Sequence, residues 1–201
     1  YGATGWWDKS AYKEGMVLGD IWGLQFDRFL TEDDFNADGS LKAGLPDQTK
    51  VFPAGYQFAP GDVLYKDLDN NGEIVKQTNT NDKGDLSVIG NALPRLQFGL
   101  NLDAAWKGFD ISMFFQGVAK RKLWAAGNQV LPGFTTGEPF YKGAEDYWTP
   151  ENTDAFYPRP MDYKQSASGN YSVNDRYLLN MAYLRLKTFT VGYSLPKVWL
   201  S

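Results

Sequence analysis

Neither cysteine nor histidine occurs anywhere in the 201 residues. Without cysteine there is no disulfide framework and no thiolate chemistry. Without histidine the commonest metal ligand and acid–base group is missing, and catalytic triads built on either residue are excluded. A carboxylate pair of the glycosidase kind stays open by composition, but none stands out from the background of Asp and Glu. Long hydrophobic runs are missing too, and none approaches the ~18 apolar residues of a membrane-crossing helix. Membrane strands remain open, because each needs only ~9–11 residues of alternating character. Basic residues are few and dispersed, 20 Lys and Arg against 24 Asp and Glu, for a net charge of −4. That balance excludes an electrostatic footprint for nucleic acid.

What is present favours strands and turns. Aromatic residues make up 16% of the chain and glycine occurs 21 times, a combination typical of pleated surfaces joined by tight turns. The clearest pattern begins at Leu96. Leu96, Phe98, Leu100, Leu102, Ala104 and Trp106 are apolar, and Gln97, Gly99, Asn101, Asp103 and Ala105 alternate with them. Period two over this length predicts a strand at 96–106 with one greasy face. Lys107-Gly108 suits a two-residue turn. A second strand follows at 109–118, with Phe109, Ile111, Met113 and Phe115 against Asp110, Ser112, Phe114 and Gln116.

A third strand, at 183–195, changes phase midway. Leu184 and Leu186 share one parity, while Phe189, Val191, Tyr193 and Leu195 share the other. A β-bulge near Lys187-Thr188 would reconcile them. A fourth strand is predicted at 17–30, with Leu18, Trp22, Leu24, Phe26 and Leu30 in phase but interrupted by Asp20 and Arg28. Between these lie long connections at 31–95 and 119–182. Structureless loops of that length are uncommon in compact soluble domains, whereas outer-membrane barrels alternate short turns with long extracellular loops. Alternation by itself fits equally a soluble β-sandwich binding module whose apolar face packs on a second sheet.

Two groups of residues are candidate sites. In "DLDNNGEI", Asp67, Asp69 and Asn71 occupy positions 1, 3 and 5 of a calcium loop, Gly72 supplies the turn, and Glu73 offers a backbone carbonyl at position 7. Position 12 is Thr78, not the usual Glu, with Asp82 or Asp85 as substitutes if the chain folds back. The same residues also suit an Asx-rich turn that holds no Ca2+. The other group is the aromatics of the second long connection, above all Trp124, Tyr147, Trp148 and Tyr157, with Phe134, Phe140, Tyr141, Phe156 and Tyr163 beside them in sequence. Their flat faces suit a ligand or partner surface, and equally the pinning of a long loop. Trp22, Trp106, Phe109 and Tyr193, near strand ends, fit an interfacial aromatic girdle or the core of a sandwich.

Taken in order, "VLGDIWGLQFDRFLTEDD", "GDVLYKDLDNNGEI", "VIGNALPRLQFGLNLDAAWKGFDISMFFQGV" and "YLLNMAYLRLKTFTVGYSLP" resemble the C-terminal barrel region of SusC/RagA-type TonB-dependent outer-membrane transporters. Arg28 stands where that family often has Gly, and Ala92 where Pro is common. The resemblance implies an all-β fold, part of a large antiparallel transmembrane β-barrel with long extracellular loops, in the outer membrane of a Gram-negative bacterium. It implies uptake of glycans, oligosaccharides or peptides together with a SusD-like surface lipoprotein, contact with outer-membrane lipid, and a transporter that can pair as a homodimer. It also implies that residues 1–201 are a partial barrel, because ~10 residues per strand plus loops allows only four to six strands. The plug domain, absent from this chain, and the segment that contacts TonB are expected upstream, with closing strands downstream.

Overall fold

The computed structural model describes residues 17–76, 82–134, 140–161 and 169–195. Regular structure begins with β1 (Asp20–Gly23), β2 (Phe26–Phe29), β3 (Val63–Tyr65) and β4 (Ser87–Asn91). It continues with β5 (Leu96–Trp106), β6 (Phe109–Ala119), β7 (Lys122–Leu123), β8 (Leu179–Asn180) and β9 (Tyr183–Tyr193). Among the described residues there is no α-helix, only single 3₁₀ turns at Glu32–Asp34 and Lys142–Ala144. No helix is long and apolar enough to cross a membrane, which says nothing about strands. The chain divides into two compact units, one of residues 1–92 and 123–179, the other of residues 93–122 and 180–201.

The second unit is a three-stranded antiparallel sheet in the order β5-β6-β9. β5 and β6 pair without a break from Leu96 opposite Ala119 to Trp106 opposite Phe109. Lys107 (φ 46°) and Gly108 (φ 89°) close the hairpin. Positive φ at both central residues is the type I′ turn, whose twist matches that of the flanking strands. β9 pairs with β6 from Tyr193 opposite Phe109 to Tyr183 opposite Val118. The register steps between Phe114, opposite Thr188, and Phe115, opposite Leu186, so Lys187 is the extra residue of a bulge. That bulge returns Leu184 and Leu186 to the face that carries Phe189, Val191 and Tyr193. One face therefore bears apolar side chains across all three strands. The other bears Asn101, Asp103, Gln116, Ser112, Arg185 and Thr190. Close contacts on each face call for glycine. Phe98 lies over Gly117, where an added Cβ would sit 2.3 Å from the ring. The Asp110 carboxylate lies over Gly192, 2.5 Å from the corresponding point.

The first unit corrects the expected strand at 17–30. That segment forms two short strands, β1 paired with β4 and β2 with β3. Its burial explains why. Ile21 and Phe29 are buried on one parity, Leu24 and Leu30 on the other, so no single apolar face exists. Arg28 pairs with Asp34, and Asp20 accepts a hydrogen bond from Asn91 Nδ2 at 2.8 Å. The backbone also breaks step at Leu24, whose N–H donates to Val173 O at 2.9 Å. The long connections are likewise folded. Leu24, Phe29, Phe52, Val63, Tyr65, Ile74 and Trp148 share one core, and Leu131, Tyr171 and Tyr177 form another.

Buried polar groups hold this unit in place of regular ladders. Asp62 has no exposed surface. Its carboxylate accepts from Tyr56 Oη (2.8 Å), the Ala59 amide (2.9 Å), Arg159 Nε (2.8 Å) and Asn170 Nδ2 (3.0 Å). Among the described residues β3 has only β2 beside it, and side-chain amides complete its far edge. Val63 N–H donates to Asn170 Oδ1 (2.8 Å), Val63 O accepts from Gln48 Nε2 (2.8 Å), and Tyr65 N–H donates to Gln48 Oε1 (3.2 Å). Buried amide and carbonyl groups need partners, and two carboxamides do here what a neighbouring strand would do.

Gly61, at φ 91°, lies directly under Trp148, and a Cβ there would sit 2.5 Å from the indole. Gly61→Ala should destabilise this unit by about 2–4 kcal/mol through left-handed strain plus overpacking. Arg159→Leu should cost about 3–5 kcal/mol by leaving Asp62 buried without its cation. Urea-dependent proteolysis of the purified full-length protein, cutting in residues 31–92 or 123–179, reads both. Parental resistance in either variant would contradict this account of the packing.

Candidate functional site

The loop at Asp67 is a network of Asx turns. Asp67 accepts from the amides of Gly72 (2.7 Å) and Asn71 (3.3 Å). Asp69 accepts from the Asn71 amide (3.1 Å) and from Asn71 Nδ2 (3.0 Å). Asn71 Oδ1 accepts from the Glu73 amide at 2.8 Å. Asn70 (φ 57°) and Gly72 (φ 85°) take the left-handed conformation that curls the backbone round these oxygens. The Glu73 carboxylate turns to Lys50 as an ion pair.

Asp85 completes the group as the chain folds back. It is fully buried and accepts from the amides of Leu68 (2.8 Å) and Val75 (2.7 Å). Carboxylate oxygens of Asp67, Asp69 and Asp85 lie within 4.8 Å of one another. Desolvation, reinforced by the neighbouring Asp85 and Asp67 charges, raises the Asp69 pKa. Asp67 bears desolvation as well, but the Gly72, Asn70 and Asn71 amides outweigh it and lower its pKa. Of the residues expected to ligate, Asp67 and Asp69 converge, and Asp85 joins them from outside the motif. The Asn71 side-chain oxygen accepts from the Glu73 amide, and it is the Glu73 carboxylate, not the backbone carbonyl expected as a ligand, that pairs with Lys50. Thr78 lies outside the described residues, as does Tyr163.

A second segment repeats the spacing. Asp34, Asn36 and Asp38 are followed by Gly39, yet no cation-ready cluster forms there among the described residues. Arg28 donates to both oxygens of Asp34, at 2.5 and 2.7 Å. Asn36 and Asp38 instead hydrogen-bond to Ser40. Hydrogen bonds from the guanidinium hold the Asp34 carboxyl down at about 2. At this loop an arginine stands where a metal ion would.

The aromatics separate into a core and a cleft. Trp148 is buried beneath Gly61 in the main core, and its indole N–H has no hydrogen-bond partner among the described residues. Trp124 packs against the Leu131–Tyr171–Tyr177 cluster. Trp148 is therefore corrected from a ligand-facing to a packing role, while Trp124 is only partly buried. Tyr147 and Tyr157 do come together, lining a cleft of about 310 Å³ with Phe140, Tyr141 and Tyr171. Trp148 N–H donates to Tyr157 O, and Tyr157 N–H to Asp146 O, both at 3.0 Å, which sets the two segments side by side. Tyr157 stacks on Tyr177, ring centroids 6.0 Å apart. Burial, then the Asp146 charge, raises the Tyr157 pKa, so the phenol stays protonated and can donate. Lys142 and Glu145 stand at the cleft with these rings. Such a lining can stack on flat apolar surface and offers few polar groups.

No protein-family model matches the chain. Two curated relatives from Formosa agariphila do. The chain is 28% identical to TonB-dependent receptor P3 over 194 residues, 94% of this chain and 16% of that receptor. It is 34% identical to TonB-dependent receptor P26 over 132 residues, 64% of this chain and 12% of that receptor. The chain is similar to these TonB-dependent receptors over most of its length. It spans less than a fifth of the length of either relative, so the match is to a segment of each. The all-β architecture and the alternating three-stranded sheet accord with part of a receptor barrel.

Holding Asp34 below the ordinary 3.8 makes the pair with Arg28 pH-dependent. Its contribution is complete above pH ~4 and is lost as the pH falls towards 2. Arg28→Gln should therefore weaken this unit by about 1 kcal/mol at pH 7, since the arginine is partly exposed. The deficit should shrink between pH 4 and pH 2. Proteolysis midpoints in urea at stepped pH measure it, and a deficit independent of pH would remove the ion pair as its cause.

Proposed function

We propose that this chain supplies part of the barrel wall and the outer loops of a SusC-type importer in the outer membrane. The observation that carries this is the continuous apolar face of β5-β6-β9. The outer strands and the central one are each 11 residues long. Steps of ~3.3 Å along strands tilted by ~40° raise such a face by ~25 Å, the height of the lipid-facing band of outer-membrane barrels. The polar face, with Asn101, Asp103, Gln116 and Arg185, then lines the lumen. Both long connections join the sheet at the end away from Lys107-Gly108, which puts them on the extracellular side if that short turn is periplasmic.

On this reading the receptor imports a glycan, oligosaccharide or peptide. TonB drives it through the receptor's N-terminal region, a SusD-like lipoprotein acts at the outer loops, and the transporter can form a homodimer. The part played by this chain is passage and loop geometry, without bond chemistry. Calcium belongs to the same reading as a rigidifying ion held by Asp67, Asp69 and Asp85, because second lone pairs on those oxygens can still face a cation.

The full-length protein should sediment with outer membranes, resist a high-salt wash and need detergent for release. Recovery in the soluble fraction would overturn the transporter and favour the sandwich. In the detergent-purified receptor, terbium should show luminescence that calcium displaces, and Asp67→Asn with Asp69→Asn should abolish it. Equal luminescence in parent and variant would leave the loop as Asx turns alone.

A further inference from the structure

We infer that the importer proposed above takes an acidic saccharide, whose carboxylate or sulfate groups are received around Arg185 at the loop end of the sheet's polar face. The inference rests on the barrel reading and names a substrate class within it. The chain as a whole carries a net charge of −4, yet its sheet unit is basic. Among the described residues of that unit the acids are Asp103 and Asp110 alone. Against them stand Arg95, Lys120, Arg121, Lys122, Arg185 and Lys187, besides Lys107 at the turn. The paired register separates the two signs along the strands. On the polar face the rung next to the turn holds Ala105, Asp110 and Gly192, and the next holds Asp103, Ser112 and Thr190. Asn101, Phe114 and Thr188 follow, then Gly99, Gln116 and Arg185, then Gln97, Val118 and Tyr183. Arg95 and Lys120 lie just beyond, each next in sequence to one member of the last β5-β6 pair, Leu96 and Ala119.

A solvated protein surface intersperses its charges, and this one sorts them. Among the described residues no carboxylate forms an ion pair with Arg95, Lys120, Arg185 or Lys187. Like charges left together repel, and an anion set among them relieves the repulsion. At the mouth of a low-dielectric channel they also raise the local concentration of anions, as rings of Arg and Lys do in anion pores. Asp103 lies two rungs from Arg185, ~13 Å along the strands, which exceeds the ~8 Å Debye length at physiological ionic strength. The acids therefore leave the attraction at Arg185 standing and repel the same anion further in. The neighbours of Arg185 suit a sugar. Its guanidinium lies over the Tyr183 ring, 5.2 Å from the centroid, and Phe114 lies over Gly99 in the adjoining rungs. Flat rings of this kind can stack on a sugar face. Gln97, Asn101, Gln116, Thr188 and Thr190 both donate and accept, as sugar hydroxyls require. A peptide held as an added strand would need free main chain to pair with, and β6 is already paired on both sides.

The absence of cysteine from the chain gives a direct test. Gln116→Cys, beside Arg185, and Leu186→Cys, on the apolar face, are made singly in an otherwise cysteine-free full-length protein in lipid vesicles. Each is treated with thiosulfonates of similar size that carry either a sulfonate or a trimethylammonium group. At 116 the sulfonate reagent should react about tenfold faster at low salt, and Arg185→Gln should bring the two rates together. Equal rates at 116 in the parent, or no reaction there, would overturn the basic mouth and leave the barrel standing. Reaction at 186 as fast as at 116 would instead remove the lipid-facing side of the sheet, and the importer with it. An oligogalacturonate and a sulfated dextran oligomer should then each protect 116 from an uncharged maleimide, and Arg185→Gln should abolish that protection. Protection by one of the two acidic saccharides alone supports the inference and tells carboxylate from sulfate. Equal protection by neutral dextran or by oligoglutamate, or protection by neither acidic saccharide, would overturn the substrate class.

Discussion

Everything proposed for the sheet depends on parity. Successive side chains of a strand point to opposite faces, so a slip of one residue exchanges the whole apolar set for the polar one. β5 and β6 keep parity because a two-residue turn with both central φ values positive leaves no slack in their register. β9 would lose it halfway, since its apolar residues change phase between Leu186 and Phe189. The single extra residue at Lys187 absorbs the change. Without that bulge Leu184 and Leu186 would face the lumen side and Arg185 the lipid side. A guanidinium facing hydrocarbon costs ~2–4 kcal/mol at mid-depth. The bulge therefore decides which environment β9 can occupy.

The loop unit solves a different problem, that of ordering long connections with little regular ladder. Its answer is to bury acceptors that many donors can reach. Asp62 draws in Tyr56 and Ala59 from its own loop, and Arg159 and Asn170 from 97 and 108 positions away. Gln48 and Asn170 finish the buried edge of β3. Each carboxamide offers both a donor and an acceptor, so it can replace a missing strand where a hydrophobic residue could not. Removing any one partner leaves a buried group unpaired, which costs more than the bond contributes. Such a loop has a defined shape.

The sheet was legible in the sequence because its signal is local. Period two from Leu96, the Lys107-Gly108 turn and the phase change before Phe189 are each visible within a few residues. The loop unit was not, because its determinants are pairings across 97 to 108 positions, such as Arg159 with Asp62 and Asn170 with Asp62. At 17–30 the apolar periodicity misled, since Leu24 and Phe29 are buried on opposite parities. Trp148 and Tyr147 are adjacent, yet one fills the core and the other the cleft. Composition could not separate them, but Gly61 marks the difference, as a backbone position left open for an indole.

The two acidic loops show what spacing can and cannot carry. Asp34-Asn36-Asp38-Gly39 and Asp67-Asp69-Asn71-Gly72 present nearly the same pattern of oxygens. In both, short polar side chains satisfy nearby amides, which is why the pattern recurs wherever a chain must turn sharply. What separates them is the charge brought from outside. The first receives Arg28, whose two hydrogen bonds neutralise Asp34. The second receives another carboxylate, Asp85, and desolvation, with Asp67 and Asp85 close by, raises the Asp69 pKa. One loop has its cation built in, and the other concentrates negative charge that a cation from solution would relieve. The motif sets the turn in both cases, and the residue delivered by the rest of the fold sets what the turn can hold.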